Sequence, residues 1–83
     1  MSTNVYIGPQ LIVGMLLGKK PSMDRKRQVA GFLADKAGRS YHFSVGYIEN
    51  IVAGRQIPPP GGDMHKALEL VMEEVVTALL EKI

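Results

Sequence analysis

Leu33-Ala34-Asp35-Lys36-Ala37-Gly38, then Ser44, then Tyr47-Ile48-Glu49-Asn50-Ile51-Val52-Ala53-Gly54-Arg55-Gln56-Ile57-Pro58 is the stretch on which the fold turns. Ile48, Ile51 and Val52 recur at helical spacing, which predicts a short helix running from a Ser44 N-cap through Ala53. Those three side chains form its inward stripe, and Gly54 is the glycine that ends it. Upstream, Val29, Phe32, Leu33 and Lys36-Ala37 mark another helix, capped by Ser22 or Asp24 and stopped at Gly38. That helix opens on Arg25-Lys26-Arg27, and positive charge in a first turn opposes the helix macrodipole. The cost is tolerable where such cations meet an anion.

Toward the N-terminus, Asn4–Ile7 reads as a short extended segment ended by Gly8-Pro9, with Pro9 suited to the first turn of a helix. Gln10–Lys20 is apolar on every side, which fits a buried helix or a buried strand; Gly14 and Gly18 weaken the helix, which is nonetheless the reading taken. Toward the C-terminus, Pro58-Pro59-Pro60-Gly61-Gly62 makes a stiff turn and then a hinge. Asp63 caps a last helix reaching about Lys82. Its main stripe is Leu68, Val71, Met72, Val75, Ala78 and Leu79, and Leu70, Val76, Leu80 and Ile83 carry it around the cylinder. That exceeds the ~100° needed to cover a small core. Either a second copy covers the surplus, with Leu68, Val71, Met72, Val75 and Leu79 at a twofold homodimer seam, or the helix is the central mast of a monomer; the dimer is preferred. The expected architecture is all-α: one domain over residues 1–83, a bundle of four to five helices with a long C-terminal helix over 63–83.

Composition narrows the function classes. Eighty-three residues, 46% hydrophobic and 22% charged, make a single globular domain too small for a deep substrate cleft. The absence of cysteine excludes disulfides, thiolate metal sites and Cys nucleophiles, and it suits a reducing cytoplasm. His42 and His65 lack the spacing of a zinc site, so no metal is expected. The apolar run Val5–Leu17 falls short of the roughly 20 residues that span a bilayer, and Lys19-Lys20 follow it instead of preceding it as in an export signal. Glu69, Glu73 and Glu74 are paired carboxylates by spacing, but they lie on the polar face of an amphipathic helix. With no nucleophile elbow, Walker loop or dinucleotide fingerprint in the chain, neither enzymatic activity nor a cofactor is expected. Charge is uneven: residues 1–62 hold eight basic side chains against three acids, a net of +5, and residues 63–83 hold two against five, a net of −3, together the chain's +2. A basic body with an acidic tail points to a polyanion on one face and a different contact on the other.

The quoted stretch resembles the helix-turn-helix of the lambda-repressor-like, Cro-type family of DNA-binding domains. The small Ala34, Gly38 four residues later, the capping Ser44, the Tyr47-Ile48-x-x-Ile51 packing pattern and the Gly54-Arg55-x-x-Pro58 tail carry the likeness, which spans roughly residues 28–72. Gly38 to Ile48 is ten residues, about one helical turn longer than is usual for the family, and Tyr41, His42 and Phe43 occupy the extra length. The resemblance implies double-stranded DNA as partner, with the helix after Ser44 in the major groove. It implies base reading by Ser44, Gly46, Tyr47, Glu49 and Asn50, with the Asn50 amide suited to adenine and the Glu49 carboxylate to cytosine. Arg25, Lys26, Arg27, Arg39 and Arg55 would hold phosphates. The expected function is a cytoplasmic, dimeric transcriptional regulator of repressor type.

Each of these residues also has a plainer reading: Asn50 as solvated surface, Tyr47 as partly buried packing, His42 as a loop residue resting on the core, the Arg25–Arg27 run as a solvated face. Two other functions fit the same chain. One is a protein-interaction module, antitoxin-like or a phage accessory protein, that uses the apolar last helix. The other is an accessory factor that binds nucleic acid without sequence preference.

Overall fold

The computed structural model describes residues 8–82, and the extended segment expected over residues 4–7 lies outside them. Among the described residues the fold is all-α: α1 (Gly8–Leu17), α2 (Met23–Ala37), α3 (Val45–Val52) and α4 (Asp63–Glu81). The ambiguous apolar run is therefore a helix, and it stops earlier than Lys20. Gly18 takes φ 78°, a conformation glycine adopts without strain, so Lys19 and Lys20 lie in the link to α2. α1 passes α3 at Gly14, where a Cβ would stand in ordinary van der Waals contact, 3.6 Å from Val52 Cγ2. The Gln10 side chain donates to the Val52 carbonyl at 3.0 Å and ties the end of α3 to α1.

Ser22, not Asp24, caps α2: its Oγ accepts the Arg25 N–H at 3.1 Å. Gly38 closes the helix at φ 75°, its N–H bonding the Asp35 carbonyl while the Arg39 N–H bonds that of Ala34. Phe32 departs from the expected inward stripe and is 40% exposed, with the Lys36 ammonium 5.4 Å from its ring centroid. The buried face of α2 is instead Val29, Ala30, Gly31, Leu33 and Ala34. α2 makes its most extensive helix–helix contact along α4. A Lys36–Glu74 ion pair joins the two helices at its edge.

Gly62 occupies the N-cap of α4 without a side-chain bond, and Asp63, expected as the cap, is the first helical residue. Met64, Ala67, Leu68 and Val71 face the core; every residue from Met72 to Lys82 is exposed. All four helices meet at Val13, Leu33, Ile48, Ile51 and Met64, and Pro58 seals the loop after α3 against them.

Candidate nucleic-acid interface

A cap and two buried side chains seat α3. The Ser44 Oγ accepts the Tyr47 N–H at 3.1 Å, and Ile48 and Ile51 enter the core. The long turn before it is packed. Phe43 is buried with its ring 6.0 Å from that of Tyr47, and the His42 imidazole lies over α2, where a Cβ at Gly31 would come within 2.9 Å of it. Two of the three extra residues, His42 and Phe43, thus fasten the turn to the bundle. Tyr41 points outward at 77% exposure.

Above α3 lies a shallow depression of about 700 Å³ lined by Ser44, Gly46, Tyr47 and Asn50 from the helix and its cap, by Arg39, His42 and Phe43 from the turn, and by Gln56 from the loop beyond. It is wide open, and nothing stands within 4 Å of where a Gly46 Cβ would be. Four of the five residues expected to read bases therefore share one surface. Glu49 does not: its carboxylate turns toward α2 and binds the Lys26 ammonium at 2.7 Å. Asn50 lines the surface but is not free. Its Oδ1 accepts from Arg55 Nε at 3.1 Å and its Nδ2 donates to Gln56 Oε1 at 3.3 Å. Gly54, at φ 78°, folds the chain back, so the Arg55 and Gln56 N–H groups also bond the Asn50 carbonyl. Glu49 and Asn50 thus lie away from the buried Ile48 and Ile51, with their polar atoms bonded to neighbours within the chain.

The expected phosphate-binding residues are likewise engaged inside the chain. Arg25 Nε donates to the Leu16 carbonyl at 3.0 Å, at the C-terminal end of α1 where the helix dipole favours a cation. Arg27 pairs with Asp24 at 3.2 Å on the exposed side of the same turn. With Lys26 on Glu49, all three first-turn cations find their anion or carbonyl within the protein, which removes the need for an external one. Arg39 places its guanidinium 4.2 Å from the Phe43 ring centroid, with Nε 3.8 Å from the Asp63 carboxylate. Arg39 and Arg55 border or adjoin the α3 surface and keep further N–H donors, because a guanidinium has five. Gln56 was not singled out by the sequence; its place here depends on the Gly54 reversal.

Burial holds the Tyr47 phenol above its ordinary pKa, with the Arg39 charge pulling the other way. The folded state therefore keeps this proton longer than the unfolded chain. Its contribution to stability is complete below pH about 10 and is lost as pH rises from there through the folded value. Tyr47→Phe is expected to flatten the alkaline fall in stability, measured as urea midpoints from about pH 8 to 11; identical slopes in both proteins would contradict it.

Of the expected seam residues, Leu68 and Val71 are 3% and 5% exposed and belong to the chain's own core, while Met72, Val75 and Leu79 are exposed. Among the described residues no cluster of three or more His, Asp or Glu side chains could hold a metal ion, and no helix is long and apolar enough to cross a membrane. The chain matches no protein-family model, no curated protein and no solved structure.

Proposed function

We propose that the chain is a sequence-specific DNA-binding transcriptional regulator of repressor type, cytoplasmic and homodimeric, that lays the outer face of α3 in the major groove. The observation that carries this reading is the open, largely polar surface above Gly46, at the Ser44-capped end of a helix held from behind by Ile48 and Ile51. A helix seated on one side and bare on the other has the form a groove admits. Ser44 and Tyr47 supply hydroxyls, Gly46 allows close approach, and Asn50 acts jointly with Arg55 and Gln56, to which it is bonded. Arg39 and Arg55 provide the phosphate contacts; Lys26 and Glu49 neutralise each other and drop out of the contact set. No catalytic step and no cofactor are part of this function.

The test is enrichment from a random duplex library, followed by titration of the enriched and a scrambled duplex over a range of salt. A preferred sequence, and a log K against log salt slope that flattens by about 0.9 per half-site in Arg55→Ala, are expected. Salt-dependent binding without any enriched sequence would favour the non-specific accessory factor. The absence of binding altogether would favour the protein-interaction module, for which the exposed apolar part of α4 speaks.

A further inference from the structure

Among the described residues an extended apolar surface left uncovered is shared by two helices, α1 and α4. On α1, Leu11 and Met15 are one turn apart and more than half exposed. On α4, Met72, Val75, Leu79 and Leu80 are exposed where the helix runs past the core. The two groups are continuous: Met15, with Ile12 and Leu16 beside it, lines a wholly apolar dimple together with Met72 and Val75. A patch of this extent on a small soluble protein marks an interaction site.

The charges around the face indicate what covers it. Ile12 lies beside Leu68 and Met72, and the next turn of α1 beside Val71 and Val75, so α1 and α4 progress in the same direction across the face. Lys19 and Lys20, which follow α1, therefore sit toward the C-terminal end of α4, and they make no ion pair among the described residues. Toward the other end, Glu69 and Glu73 stand one turn apart on the α4 edge that carries Val76 and Leu80. Both are exposed, with the Glu69 carboxylate 3.6 Å from His65 Nδ1. A face with cations at one end and carboxylates at the other is complementary to itself once reversed, and a twofold axis through its middle performs that reversal.

We infer that a second copy of this chain covers the α1–α4 face, apolar middle against apolar middle, with Lys19 and Lys20 of each copy against Glu69 and Glu73 of the other. This deepens the homodimer of the proposed function by moving half of the seam onto α1 and replacing Leu68 and Val71, which are core, with Leu11 and Met15. It is tested without DNA, so its failure leaves the reading of α3 standing, and the converse holds.

The experiment is sedimentation equilibrium of the full chain at low salt, for the wild type, for Lys19→Glu/Lys20→Glu, for Glu69→Lys/Glu73→Lys, and for an equimolar mixture of the two variants. The wild type is expected to dimerise at micromolar concentration. Each variant alone sets like charges against like on both sides of the axis and should self-associate at least about tenfold more weakly. The mixture sets opposite charges together on both sides and should return to within about threefold of the wild type. Leu79→Glu, at a 59% exposed position, should remain helical by circular dichroism and be monomeric. A wild type that stays monomeric at about 100 μM, variants that dimerise as the wild type does, or a mixture that fails to recover would each overturn the inference.

Discussion

Ile48→Ala is expected to cost the fold about 2–5 kcal/mol, the range for emptying a fully buried aliphatic site. Ile48 is 0% exposed on a helix of eight residues that packs against both α1 and α2. So short a helix has little stability of its own and depends on the side chains that seat it. Against a total of ~4–12 kcal/mol for a domain of this length, the loss takes a large share of what holds the molecule together. Thermal unfolding followed by circular dichroism should show a midpoint lower by more than roughly 10 °C. A cost under about 1 kcal/mol would mean that Ile48 does not seat α3, and the surface built on that helix would lose its foundation.

The helices around this site were legible in the sequence because their ends are chemical. Ser22 and Ser44 accept the N–H groups that a first turn leaves open, and Gly38 and Gly54 adopt the left-handed backbone that ends a helix. Such signals are local and survive any tertiary arrangement. Asp63 shows their limit, since a capping residue type can equally well sit one position inside, with Gly62 at the cap. Phe32 shows another. Helical spacing marks it as inward, but which edge of an apolar stripe is covered depends on the neighbouring elements, and the face buried here is Val29, Ala30, Gly31, Leu33 and Ala34 instead. At the α3 surface the backbone and most of its residues were readable, whereas the partners were not. Nothing local to Glu49 names Lys26, and nothing local to Arg25 names the Leu16 carbonyl. The unfavourable charge in the first turn of α2 points to partners, and within the chain these are carboxylates for Lys26 and Arg27 and a backbone carbonyl for Arg25.

Under the proposed function, Gly46→Glu is expected to separate folding from DNA binding. A Cβ at position 46 meets nothing within 4 Å, so the larger side chain projects from α3 without disturbing the bundle. The second residue of a helix is also a favourable place for a carboxylate, and glycine in a helix costs about 0.5–1 kcal/mol relative to alanine. The variant should therefore fold at least as stably as the wild type. In a major groove the same carboxylate would face phosphates and base acceptors, a like-charge placement worth several kcal/mol, or on the order of a hundredfold or more in Kd. Asn50→Ala is a less clean probe, because it also breaks the bonds to Arg55 and Gln56 that hold the chain reversal after α3.

The most direct measurement is a fluorescence titration of wild type and Gly46→Glu against the enriched duplex and its scrambled counterpart, at one salt concentration, beside thermal melts of the two proteins. The outer face of α3 as reading surface predicts tight wild-type binding to the enriched duplex, loss of that binding in Gly46→Glu, and a melting temperature that is unchanged or higher. Gly46→Glu binding the enriched duplex as tightly as the wild type would contradict it.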